Sequence, residues 1–416
     1  MPVLPDLLSS SPPSPPAYDA TPSPGVPVFA MLGGIEAVVR GIMLSVYPLL
    51  LYRAWGEAAV VSKWYFLVGI VSLLTGLSVP MVSRHLPRRW VYTLGVLLYV
   101  LSAVFGLAGG KWVTLALLCH VTGTATVFVC YNAYVLDNVS KATFGHLESR
   151  RLMLGGFGWT VGPVLGVWLL RVWYGAPFVV VGLAAVGMLA AFWRLGLSQA
   201  RVSQQVGRAS GNPVRYLRRF VAQPRLVAGW LFAVLRSCGW SVYTVYVGIY
   251  AVQSGLGEQV GGITASLANS FLFLAPVMLR WMQRRSVREA VRTGFLVAGC
   301  TFVLAALFSP FPMVTVVILV LSSFFLVLLD VCAGLPFLMA VKPSQRTEMS
   351  AVYSSFRDVS GILTPGAAWL VLQFSPLAGV FVMGGVALLV AWGIAGRLHP
   401  ELGVPGAQRV RSFSGR

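Results

Sequence analysis

The chain is poor in charge, and poorest in acid. Only 10% of its 416 residues are Asp, Glu, Lys or Arg, where a soluble globular chain carries roughly a quarter. Twelve acidic residues stand against 31 basic ones. So few charges cannot cover a water-facing surface, which excludes an ordinary soluble domain. Cysteine is also scarce: Cys119, Cys130, Cys238, Cys300 and Cys332 all fall in apolar stretches and form no C-x-x-C pair. They read as buried packing residues, not as a disulfide framework or a metal site. No G-x4-G-K-[ST], H-E-x-x-H or G-x-S-x-G occurs, so ATP drive, zinc-peptidase and serine-hydrolase chemistry lack their residues. Neither an enzyme nor a cofactor is expected. Residues 1–27 contain no Lys or Arg and no h-region before a cleavage site, unlike a signal peptide. Their Ser/Pro runs, such as Ser9–Pro16, are too poor in apolar groups to fold, and a disordered tail is expected there.

What the chain has in abundance is hydrophobic length, at 57% of the sequence. About 20 apolar residues cross the roughly 30 Å of hydrocarbon in a bilayer. Twelve segments qualify: 28–52, 60–82, 90–108, 113–136, 154–174, 176–197, 226–252, 260–282, 293–309, 312–340, 350–373 and 377–396. The net charge of +19 could be taken for a nucleic-acid surface, but most basic residues lie between the apolar runs, where they set topology. With the N-terminus in the cytoplasm, 24 of the 31 fall inside, four outside (Arg53, Lys63, Lys111, Arg171) and three within spans (Arg40, Arg236, Arg357). Both termini are therefore expected in the cytoplasm, in a bacterial inner membrane. The expected partners are lipid, a small-molecule substrate and protons, with no nucleic acid and no reading of oligomeric state.

The chain also repeats itself. Pro80-Met-Val-Ser-Arg84-His-Leu-Pro-Arg88-Arg89 and Pro276-Val-Met-Leu-Arg280-Trp-Met-Gln-Arg284-Arg285 share P-x3-R-x3-R-R at an offset of 196 (276 − 80). Pro163 in span five and Pro365 in span eleven lie 202 apart (365 − 163), each in a small-residue context. This predicts an all-α integral membrane protein with twelve transmembrane helices in two pseudo-symmetric six-helix halves, 28–197 and 226–397. A basic linker, 198–225, with six arginines and no acid, would lie solvated against headgroups, and 398–416 would be a cytoplasmic tail.

On these motifs the chain resembles the major facilitator superfamily over residues 28–397. The family's G-x3-D-R-x-G-R-R between spans two and three keeps only Arg88-Arg89 here: Pro80, Arg84, His85 and Pro87 replace the other positions. The family's span-five pattern G-x3-G-P-x2-G-G is matched by Gly158, Gly162, Pro163 and Gly166. In relatives it is a mark of proton-driven exporters, although a packing seam of small residues explains it equally well. The arginine of the span-four pattern R-x2-Q-G is absent, with Cys119 four places before Gly123. The resemblance implies alternating access, with spans one, four, seven and ten lining a central cavity.

Charges within those spans are the candidate site. Glu36 and Arg40 share a helix face at i, i+4. Asp330 lies some eleven residues from the nearest loop, or about 16 Å deep, and Arg236 is its natural partner. Charges at such depth are costly and usually face a wet cavity or each other. His120, Tyr131, Asn132 and Tyr243 complete the substrate or proton-coupling set. A second set, Arg84, Arg88, Arg89, Asp137, Glu148, Arg280, Arg284, Arg285, Arg357 and Asp358, sits at the cytoplasmic ends as gate residues. Arg84 and Arg280 stand where relatives place acid, so a latch is expected from Asp137 and Asp358 pairing across the halves with Lys141, Arg150 or Arg346. The expected function is proton-coupled efflux of a small organic compound. The alternatives are a metabolite importer or facilitator without proton coupling, and a transport-inactive membrane assembly factor.

Overall fold

A computed structural model describes residues 26–139, 141–195, 213–341 and 346–398. Most of the expected N-terminal tail, much of the linker and nearly all of the C-terminal tail lie outside this set. The first half contains α1 (Val26–Trp55), α2 (Ala58–His85), α3 (Arg88–Ala108), α4 (Trp112–Asn138), α5 (Lys141–Val172) and α6 (Ala176–Arg194). The short α7 (Pro213–Val221) leads into α8 (Pro224–Gln253). Crossing eight is built of α9 (Glu258–Ser270), a 3-10 turn at Phe271–Leu274 and α10 (Ala275–Arg284). α11 (Val287–Leu307), α12 (Pro312–Cys332) with α13 (Leu335–Ala340), α14 (Arg346–Ser354) with α15 (Phe356–Val371), and α16 (Ala378–Ala395) complete the second half.

Eleven helical stretches are individually long and apolar enough to cross a bilayer. The twelfth crossing is α14 with α15, interrupted at Ser355, which leaves α15 only 16 residues. The exterior is apolar: Leu77, Val172 and Leu307 are each more than 60% exposed, as lipid-facing side chains must be. The chain is a multi-pass integral membrane protein. Because the crossings alternate, both elbows and the start of α11 share one side with the outset of α1, here termed the basic face; the turns at 56–57 and 254–257 lie on the opposite face.

Three local structures differ from expectation. α5 begins at Lys141, thirteen residues before the apolar run at 154, so Arg150 and Arg151 are helical and not in a loop. α11 begins at Val287 instead of 293, because the Ser286 hydroxyl accepts from the Glu289 amide at 3.0 Å, the capping arrangement that S-x-x-E encodes. The basic linker contains a docked helix, not only solvated chain: Phe220 of α7 is 3% exposed and packs in a cluster with Leu226, Phe337 and Met349. Cys300 is exposed and does not pack inside, while Cys130 and Cys332 are buried.

The tightest helix pair is α1 with α5. A Cβ on Gly41 would stand 2.2 Å from the Gly158 carbonyl oxygen, one on Gly162 2.5 Å from the Gly41 carbonyl carbon, and one on Gly166 2.4 Å from the Ile42 oxygen. Only hydrogen fits at these positions. The Ser45 hydroxyl donates to the Pro163 carbonyl at 2.7 Å. The Gly158–Gly166 pattern is thus a close-packing seam, with Gly41 as its unpredicted counterpart.

Candidate functional site

The two halves meet along α2 with α15 and α5 with α9. Among the described residues, the hydrogen bonds and ion pairs joining the halves lie toward the opposite face. Arg53 at the end of α1 forms an ion pair with Glu258 at the start of α9. The Ser62 and Tyr246 hydroxyls are 2.8 Å apart, and the Val164 amide donates to Ser266 Oγ at 3.0 Å. Phe66 stacks on Trp369 at 6.5 Å between ring centres. Toward the basic face, charged side chains of the two halves come near one another, Arg357 being within electrostatic reach of Arg40 and Arg151.

The first half contributes Glu36 and Arg40, paired at 3.3 Å, with the Arg40 guanidinium 5.0 Å over Trp159. Beside them is a small cavity of about 30 Å³ lined by Glu36, Arg40, Tyr131 and Arg151. Tyr131 is held by donating to the Phe29 carbonyl at 2.7 Å, and its ring underlies Arg151 at 5.7 Å. Arg151 was not anticipated from sequence. The early start of α5 carries it up to α1 and α4.

The second half contributes Asp330, Arg236 and Arg357. Asp330 is ion-paired with Arg236 at 3.2 Å and accepts from Trp240 Nε1 at 2.9 Å. Its side chain still keeps 31% exposure, so the carboxylate is held yet reachable. Arg357 at the start of α15 reaches across to Phe128 of α4 at 5.9 Å and is within electrostatic reach of Arg40, Arg151 and Arg236. The candidate site is therefore two carboxylates and four guanidiniums shared between the halves, with an excess of positive charge.

Other predicted residues lie elsewhere. His120 is 6% exposed, packed between Tyr47 and Tyr99 at 5.2 and 5.1 Å, so it belongs to the packed interior of the first half. Asn132 donates back to Phe128 of its own helix at 2.9 Å. Tyr243 is 1% exposed and ties α8 to α9 through the Thr264 carbonyl at 2.9 Å. Asp137 accepts from Arg88 at 2.6 Å, both under 10% exposed. That pair is internal to the first half; Arg346, the partner expected for Asp137 across the halves, lies outside what is described. The pair forms because α3 and α4 pack closely at Gly95 and Gly123, which brings the first residue of α3 beside the end of α4. Arg89, Arg280 and Arg284 are exposed, Arg285 pairs with the nearby Glu289 at 2.9 Å, and Asp358 is exposed. The side chains of Arg84, Lys141, Glu148 and Arg346 lie outside what is described.

Solved structures share the fold of this chain. The nucleoside transporter NupG superposes with a TM-score of 0.66 at 12% identity, covering 89% of this chain and 98% of that one. A POT family transporter in complex with 5-aminolevulinic acid gives 0.70 at 13%, covering 91% and 98%. A peptide transporter POT gives 0.69 at 16%, covering 91% and 95%. At these identities the likeness is one of fold. A search of curated proteins returned no match. The sequence profile of the Major Facilitator Superfamily matches residues 29–365, most of the chain, and the protein belongs to that family.

Proposed function

We propose that the protein is a proton-coupled secondary transporter of a small organic solute, with the Asp330–Arg236 pair as the coupling element. The observation that carries this reading is that Asp330 is ion-paired to Arg236 and yet keeps 31% of its side chain exposed. An ionised carboxylate at that depth is stable only while paired. Protonating it would release Arg236, and a solute group could then take the place of the carboxylate. Proton and solute would so compete for one guanidinium, which is how a gradient of one drives the other.

The Glu36–Arg40 pair and Arg151 offer a second set of contacts from the first half, so that a bound solute would bridge the halves. Efflux was the direction expected from the span-five motif. That motif is accounted for by the fit of α5 to α1, so the proposal is stated without direction. The basic residues favour cytoplasmic termini, and the membrane proposed is a bacterial inner membrane. An inert assembly factor has no use for four arginines facing two acids between mobile halves.

The test is flux in proteoliposomes, using a ligand selected by a thermal-shift screen of metabolites and antibiotics. Wild-type flux should follow an imposed pH gradient. Asp330→Asn should still exchange the ligand but ignore the gradient. Flux that is indifferent to both the gradient and the substitution would remove the proton from the mechanism and leave a facilitator whose solute site is Glu36–Arg40.

A further inference from the structure

Away from the central space, the basic face carries a groove of about 380 Å³ between the start of α11 and the end of α16, lined by Arg288, Glu289, Arg292, Leu296 and Trp392 among others. We propose that this groove binds the phosphate of an anionic phospholipid.

The charge balance of the groove is positive. Glu289 is engaged by Arg285 at 2.9 Å, and among the described residues Arg288 and Arg292 pair with no acid. Arg292 is held with its guanidinium 5.6 Å over the Trp392 ring. Arg288 is anchored by donating from Nη2 to the Gly396 carbonyl at 2.7 Å. The Nε–H groups of both arginines are shielded from solvent and meet no acceptor among the described residues. Both arginines line the groove, and a phosphate offers several acceptor oxygens in the geometry a guanidinium favours.

The surroundings favour a lipid phosphate over a free one. α11 and α16 run in opposite directions and pack through Gly299 against Gly385. The residues one place beyond these glycines, Cys300 and Val386, fall on the same side of the seam, and both are exposed. Leu304 and Val382, at 41% and 40% exposure, extend that side away from the basic face. Along α11 the positions Arg292, Leu296, Cys300 and Leu304 succeed one another at helical spacing, so the groove runs into an apolar track suited to an acyl chain. Trp392 lies at its upper end, at the depth where indoles gather in membrane proteins. In the first half the equivalent place is occupied by protein: Trp193 packs at 5.3 Å on Trp90 and donates to Thr93 Oγ1 at 3.2 Å. The duplication has thus left an arginine-lined groove only in the second half.

The test is native mass spectrometry of the full-length protein in neutral detergent, with phosphatidylglycerol or phosphatidylcholine added. Phosphatidylglycerol should be retained in preference. A basic residue near a membrane surface is worth about fivefold in binding, so Arg292→Gln should weaken retention by about that factor and Arg288→Gln with Arg292→Gln by about thirtyfold. Arg171→Gln, on the opposite face, should leave retention unchanged. Millimolar inorganic phosphate should not displace the lipid. If the double variant loses its fold, Arg292→Gln alone decides the matter, since Arg292 makes no hydrogen bond through Nε that the substitution would break. Equal retention of the two lipids, or unaltered retention by the folded variants, would overturn the proposal. Displacement by inorganic phosphate would overturn it in favour of a free-anion site.

Discussion

Arg88 and Asp137 illustrate how a single pair can replace what a motif has lost. Arg88 stands at the N-terminus of α3 and Asp137 near the C-terminus of α4, each at the helix end where its charge is least favoured. Together, at 2.6 Å and almost fully enclosed, each compensates the other, and the Arg88 guanidinium lies 5.5 Å over Tyr134. Removing one partner leaves a buried charge uncompensated, which costs about 3–5 kcal/mol. Asp137→Asn should therefore lower stability by that order in a reversible SDS titration, whereas Arg88→Gln with Asp137→Asn should recover part of the loss. A double variant no better than the single would show that the ion pair is not what fixes the α3–α4 corner. At this scale the sequence was legible where partners lie one helical turn apart or share a predicted cavity, as with Glu36–Arg40 and Arg236–Asp330. It was not legible for Arg151, whose role depends on α5 beginning at Lys141 in a stretch too polar to count as membrane-spanning. Tyr131, Asn132, Tyr243 and His120 have suitable chemistry on the cavity-lining helices, but which way each points is set by helix rotation, which an apolar helix scarcely encodes.

At the scale of elements, glycine placement decides how α1 and α5 fit. Gly162→Val has no room: even a Cβ there would lie 2.5–2.8 Å from Gly41 backbone atoms. The helices would have to separate, and the expected result is a steep loss of folded protein on extraction, measured by monodispersity and thermal midpoint. Gly156→Ala, one and a half turns away in the same helix, meets nothing within 4 Å. It should be tolerated and should stabilise by up to about 1 kcal/mol, the propensity difference in a helix interior. If the two substitutions behaved alike, the seam would not be the reason for the motif. Spans were readable from length and apolarity because the bilayer imposes both. Their ends were less so, since the start of α11 is fixed by the Ser286 cap and not by hydrophobicity, and α7 is fixed by one aromatic, Phe220, finding Phe337 and Met349.

At the scale of the whole molecule, the duplication visible in the two basic elbows carries over to two packed halves, joined at the opposite face by Arg53–Glu258 and Ser62–Tyr246. The two copies are not equivalent in detail: Pro80 sits inside an unbroken α2, while Pro276 follows a 3-10 turn that breaks crossing eight. Such a break gives the second half a place to bend beside the α5–α9 contact. Among the bonds that join the halves at the opposite face, the outermost is Arg53–Glu258, whose side chains are 41% and 32% exposed. An exposed pair of this kind contributes up to about 1 kcal/mol, equivalent to a population shift of about fivefold at most. Because the pair joins the halves only when the opposite face is closed, its contribution bears on one state and not the other, which is the condition for shifting an equilibrium. Glu258→Gln should therefore raise the fraction of molecules open at the opposite face, and to a similar extent close the basic face. Spin labels on the turns at 56–57 and 254–257 would report the first change as a longer distance component. Labels at Arg89 and Arg284 would report the second as a shorter one. Distance distributions unchanged on both faces would mean that the Ser62–Tyr246 and Val164–Ser266 hydrogen bonds, not the ion pair, hold that face closed.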